Sequence, residues 1–122
     1  MTGFTLTGAD ERKLVGVDSR LVNVVRLLAQ ESPVPFMVVE GLRTEKRQQQ
    51  LFRERKTKTL DSKHLSGRAV DIAPLVDGKV SWEWKDFAPL MNAARKCSTS
   101  LGVPMTFGYD WGWDAPHMEL KG

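Results

Sequence analysis

The spacing of apolar positions changes several times along the chain, and each change marks an element. Leu21, Val24, Val25 and Leu28 fall at i, i+3, i+4 and i+7, one stripe of a helix that Asp18 or Ser19 caps and that runs to about Gln30. Ser32-Pro33-Val34-Pro35 breaks it, and the apolar run Phe36 to Glu40 predicts a strand that Gly41 ends. Thr44 caps a second helix, extending through Arg53 or Arg55. Its apolar content is thin, Leu51 and Phe52, so it belongs on the surface with one edge on the core. A polar loop is expected from Lys56 to Ser66, then a strand from Arg68 to Ala73 closed by Pro74, then a tight turn at Asp77-Gly78. A third helix is predicted from about Glu83 to Leu101, with Trp84, Phe87, Met91 and Ala94 on its inner side and Gly102 as its stop. Two more strands, Pro104 to Gly108 and Pro116 to Leu120, complete the set. Helices before and between strands that can pair antiparallel predict an α+β fold, a small antiparallel sheet with flanking helices.

Length and charge narrow the picture. A chain of 122 residues, 41% hydrophobic and 27% charged, has room for one core and is expected to form a single domain with little room for a second binding module. The net charge of +3 is uneven, with Arg43, Lys46, Arg47, Arg53, Arg55, Lys56 and Lys58 opposed only by Glu45 and Glu54 over the same stretch. Such a run is a solvated helix face or an approach surface for a polyanion. It comes with no recognised nucleic-acid motif, so no nucleic-acid partner is expected. Cys97 is the sole cysteine, which excludes an intrachain disulfide and suits a buried small hydrophobe. The first ten residues lack the basic leader and apolar run of a signal peptide, and no segment has the length of a membrane span. Synthesis in the cytosol without membrane insertion is expected.

The candidate chemistry gathers at the two histidines, His64 and His117. In the strand after His64, Ala69, Asp71 and Ala73 share one face. An ionised carboxylate between alanines needs a partner there, either a metal or an arginine such as Arg68 or Arg43. Gly67 permits an unusual turn between His64 and that strand, and Ser62 and Ser66 are available to bond nearby polar groups. Alternation puts His117 and Glu119 on one face of the last strand. Asp114 precedes them across Ala115-Pro116, where a general base for a metal-activated water belongs. Glu119 competes for that role, or serves as the partner that holds His117. Arg43, at a strand-to-helix junction, suits a substrate carboxylate or an oxyanion. No serine stands in a nucleophile-elbow context, which disfavours a Ser-His-Asp triad.

Ser62-x-His64-x-x-Gly67-x-Ala69-x-Asp71, followed by Asp114-x-Pro116-His117, resembles the paired signature of the VanY-type zinc peptidases. Glu40-Gly41-Leu42-Arg43-Thr44, with Gln48 and Leu51, resembles their upstream arginine motif, and His64 to Pro74 is similar to the phage endolysin branch. The resemblance spans about residues 20 to 120. It implies the fold shared by Hedgehog domains and D,D-peptidases, with Zn2+ bound by His64, Asp71 and His117. It implies Asp114 as catalytic base, Arg43 as the group stabilising the carbonyl or tetrahedral intermediate, and Ser62 and Gln48 as substrate-binding neighbours. Asp110, in a Trp- and Gly-rich segment shorter than is usual in phage members, is a second acidic candidate; the spacing to His117 favours Asp114. The implied activity is that of a monomeric L-alanyl-D-glutamate endopeptidase acting on peptidoglycan, made in the host cytoplasm and released by a holin. A D-alanyl-D-alanine carboxypeptidase and a non-catalytic zinc-stabilised binding domain are the alternatives.

Overall fold

A computed structural model describes residues 6–55 and 62–121. The chain runs α1 (Gly8–Lys13), α2 (Ser19–Glu31), β1 (Phe36–Glu40), α3 (Glu45–Arg53), a 3-10 turn (Lys63–Ser66), β2 (Ala69–Val76), β3 (Lys79–Val80), α4 (Trp84–Leu101), β4 (Met105–Phe107), α5 (Gly108–Trp111) and β5 (His117–Leu120). The sheet is antiparallel with strand order β1-β2-β5-β4, and β3 pairs with the end of β2. This is the predicted α+β class.

Strand alternation gives the sheet two chemically different faces. Val38, Val70, Ile72, Met118, Leu120 and Phe107 join the core built from the stripe of α2 and from Phe87, Leu90, Met91 and Ala94 of α4. On the other face, pairing sets Asp71 opposite His117 and Ala69 opposite Glu119. A bulge at Val39 shifts the β1 register so that Glu40, not Val39, stands opposite Asp71. Polar chemistry and apolar packing therefore occupy opposite sides of one sheet.

Several boundaries differ from the sequence expectation. β2 continues to Val76, because Pro74 sits between the two strands that share that edge. β5 pairs with residues 69–71 and β3 with residues 75–76, so no ladder bond is asked of the missing N–H. The Asp77-Gly78 hairpin has positive φ at both residues, 54° and 78°. Trp84 is not in the core; the first turn of α4 overhangs it, and the indole stacks instead on Tyr109 with centroids 4.8 Å apart. Residues 63–66 form a 3-10 turn where a loop was expected, capped by Ser62 and closed by Gly67 at φ 72°. The rest of that expected loop, with Lys56 and Lys58, lies outside the described residues.

The short helix α1 was not anticipated. Its Asp10 is buried and accepts from Thr7 N–H and Oγ1–H, both at 3.0 Å, and from the N–H of Val38 at 2.9 Å. Asp10 thus caps the start of α1 and satisfies an outward N–H on edge strand β1 with one carboxylate.

Candidate metal centre and active site

His64 reaches the polar face of the sheet from the 3-10 turn. Its backbone N–H donates to Ser62 Oγ at 3.2 Å, and its carbonyl accepts from the N–H of Arg43 at 2.9 Å. The ring is buried, and Nδ1–H donates to the Gly41 carbonyl at 2.9 Å. Gly41 has no room for a side chain, because a Cβ there would overlap the Lys13 carbonyl. The packing of the C-terminal end of α1 against Gly41 therefore holds the acceptor that orients His64. A carbonyl only accepts, so Nδ1 carries the proton and Nε2 presents a lone pair.

His117 has the complementary arrangement. Its Nε2–H donates to Glu119 Oε1 at 2.9 Å, leaving Nδ1 as the lone pair of the neutral ring. The two lone-pair nitrogens meet at Asp71, with His64 Nε2 at 3.2 Å and His117 Nδ1 at 3.1 Å from Oδ1. Donor atoms of His64, Asp71 and His117 all lie within 4.8 Å of one another. Three electron-rich atoms facing one point call for a cation. Ligands about 2.0–2.1 Å from a tetrahedral ion lie about 3.3 Å apart, so the separations at Asp71 suit a metal. The residues present fit such an ion, and Glu119 and Gly41 supply the outer bonds that fix both tautomers.

Without an ion, charge balance falls to protons. Burial pushes the Asp71 carboxyl up, but hydrogen bonds and attraction from His117 and His64 outweigh it and hold the group far below the usual carboxylate range. Burial pushes His117 down, yet its bond to Asp71, then Glu119 and Asp114, bring it above the ordinary histidine value. Arg68 does not partner Asp71, since its guanidinium reaches the Lys121 carbonyl instead. The four ring nitrogens of the two histidines are engaged by Gly41, Asp71 and Glu119, which leaves no imidazole for a serine.

The three acidic candidates separate by their partners. Asp114 Oδ2 is 3.9 Å from His117 Nδ1. Burial and repulsion from Asp71 push its carboxyl up, against the pull of His117, His64 and Arg43. Glu119 is bound on both oxygens, by His117 and by Lys63 Nζ at 2.9 Å, and Lys63 also donates to the Leu120 carbonyl at 2.7 Å. Burial raises Glu119, but Lys63 and His117 bring it below the usual value. Asp110 is engaged by both Nη atoms of Arg95, at 2.6 and 2.8 Å. Among the described residues, Asp114 is thus the acidic candidate beside the histidine–aspartate cluster that no short bond ties to another group.

Arg43 is not a surface arginine: its side chain is 8% exposed. Glu40 accepts from Nε at 2.8 Å and from Nη2 at 2.7 Å, and Gln48 Oε1 accepts from Nη1 at 2.6 Å. Gln48 is 1% exposed and braces the guanidinium from within α3. Ser62 is spent locally on capping the turn that carries His64. Sequence reasoning gave no role to Glu40 or Lys63. The Glu40–Arg43 spacing was a local signal for one; Lys63 had none.

The chain as a whole is similar to known proteins. Residues 2–121 match the family described as phage L-alanyl-D-glutamate peptidase. The L-alanyl-D-glutamate peptidase of Escherichia phage T5 is 32% identical over 116 residues, covering 91% of this chain and 85% of that protein. The crystal structure of the Serratia marcescens L-Ala D-Glu endopeptidase ChiX superposes with a TM-score of 0.89 at 40% identity, over 95% of this chain and 89% of the other.

Proposed function

Since this chain belongs to the phage L-alanyl-D-glutamate peptidase family and is a peptidoglycan endopeptidase, we propose that it cuts the stem peptide between L-alanine and D-glutamate, with zinc held by His64, Asp71 and His117. The observation that carries the reading is the convergence of two imidazole lone pairs and a carboxylate beside Asp114. Two imidazole nitrogens and one carboxylate oxygen are a usual donor set of a hydrolytic zinc site, and these residues would hold the ion. The chemistry zinc supplies when bound is Lewis acidity, which polarises the scissile carbonyl and makes a water easier to deprotonate.

The chain's own residues do the rest. Asp114 takes the proton of the attacking water, and its raised carboxyl holds that proton better than an ordinary carboxylate would. The same proton passes to the nitrogen of D-glutamate as the carbon–nitrogen bond breaks. Of the five N–H groups of Arg43, the three used on Glu40 and Gln48 fix its orientation. The other two are available to the carbonyl oxygen as it gains charge. Ser62 and Gln48 act through His64 and Arg43, which they position.

We read residues 1–122 as one catalytic domain, acting as a monomer on the wall after holin-type release from the host cytoplasm. No helix among the described residues is long and apolar enough to cross a membrane. Digestion of purified peptidoglycan by the zinc-loaded protein should expose N-terminal D-glutamate, detected by mass spectrometry. Released D-alanine would point to a carboxypeptidase instead, and bound zinc without cleavage to a binding domain. Asp114→Ala should keep its zinc and lose roughly 10²–10⁴-fold in rate. Activity surviving in that variant would overturn the base assignment and move the test to Glu119 and Asp110.

A further inference from the structure

Beside the metal centre lies an aromatic surface that hydrolysis itself does not use. The Trp111 ring is 5.4 Å from that of His117, and the Trp113 ring is 5.5 Å from Trp111, with the indole planes inclined by 32°. Trp111 is 40% exposed and Trp113 is 73% exposed. Adjacent indoles left in water, touching a metal-binding histidine, are the kind of apolar surface that marks a binding site. The segment bearing them is held on several sides. Arg95 forks onto Asp110, Trp84 stacks on Tyr109, and Gly108 lies so close to the Asp114 carbonyl that no side chain would fit. Such a surface is formed before any ligand arrives.

The chemistry of the substrate says what reaches it. In peptidoglycan the L-alanine of the stem is itself amide-linked to the lactyl group of N-acetylmuramic acid. One residue therefore separates the scissile carbonyl from the sugar, and a residue of chain spans at most about 3.3–3.6 Å. Adding the short lactyl arm, the pyranose ring lies within about 10 Å of the bond being cut. Two successive indoles, one 5.4 Å from the His117 ring and the next 5.5 Å from the first, lie on that length scale. The face of a pyranose presents C–H groups that pack on an indole, while its hydroxyl and acetamido groups stay at the wet rim. Charge agrees with this occupant: Arg95 and Asp110 neutralise each other at the edge of the platform, which suits a neutral sugar better than the carboxylate-bearing part of the stem.

We propose that Trp111 and Trp113 form a saccharide-stacking subsite for the N-acetylmuramic acid ring, making the enzyme selective for glycan-linked stems over free peptide. The inference rests on the L-alanyl-D-glutamate reading. The test uses two soluble substrates with the same scissile bond: an N-acetylmuramyl stem peptide, and the same peptide with a plain acetyl group in place of the muramyl group. The native zinc-loaded enzyme should show a kcat/KM at least about tenfold higher on the muramyl substrate, mainly through KM. Trp113→Ala should collapse that ratio toward one, and Trp113→Phe, which keeps an aromatic face, should retain most of it. Equal kcat/KM on the two substrates, or a ratio unchanged in Trp113→Ala, overturns the subsite while leaving the endopeptidase reading intact. If neither substrate yields N-terminal D-glutamate, the parent reading falls, and the subsite with it.

Discussion

At the residue scale, the site is governed by which atom of each side chain is already committed. His117 stands between Asp71 and Glu119, and its raised proton affinity means that imidazolium persists above the ordinary value of 6.5 in the ion-free protein. That proton must leave before a metal binds, so affinity should rise with pH through this range and fall on acidification. Calorimetric titration with zinc in buffers of different ionisation enthalpy should register proton release at pH values where His117 is still charged; none there would mean that His117 is already neutral before the metal arrives. Lys63 holds Glu119, which holds His117. Lys63→Met should weaken metal affinity roughly tenfold, read by competition with a chelator, because an outer bond orients the ligand without touching the ion. His64 and Asp71 were legible as a pair, since they lie seven residues apart with a glycine turn between them. Lys63 and Glu119 were not, because they meet only when β2 and β5 pair.

At the element scale, short pieces do the positioning. The six-residue helix α1 is too short to display a helical period, yet its Asp10 bonds the edge of β1, the strand that ends at Glu40 and leads to Arg43. Asp10→Ala should strand the buried N–H of Val38 and cost about 1–3 kcal/mol in urea-induced unfolding. A smaller effect would mean that water replaces the carboxylate. The α2 stripe was readable because four apolar residues recur at helical spacing and all are buried. The inner face of α4 was readable only from Phe87 onward. Periodicity says which side of a helix is apolar and not how far along the helix the core extends, which is why Trp84 was misplaced.

At the scale of the whole molecule, the three candidate ligands come from the 3-10 turn, β2 and β5, and His117 on β5 joins the other two only through long-range strand pairing. An ion bound there ties distant segments of the folded chain and has no equivalent site in the unfolded one. At a thousandfold excess over Kd, zinc should add about 4 kcal/mol, and stripping it with a chelator should lower Tm by about 10 °C or more in scanning calorimetry. A Tm indifferent to chelator would mean that the cluster holds no ion. Core and site lie on opposite faces of one sheet, so a one-residue register slip would turn Asp71 and His117 into the apolar core and turn Ile72 and Met118 out of it. Register is therefore selected by burial, and catalytic geometry follows from it.

By itself the sequence determined the residue types, their order and their faces: two histidines, an aspartate between alanines, an aspartate before a proline, and strands whose alternation sends polar groups to one side. These are local properties, set by side-chain chemistry and backbone period. Only the tertiary structure decided which groups are taken. It bound Glu40 and Gln48 to Arg43, Lys63 to Glu119 and Arg95 to Asp110, and so left Asp114 beside the cluster. The pairings at Arg43 join near neighbours in the chain, whereas Lys63–Glu119 and Arg95–Asp110 depend on strand register and helix packing. A carboxylate's role is set by what it already touches, and that is a property of the fold.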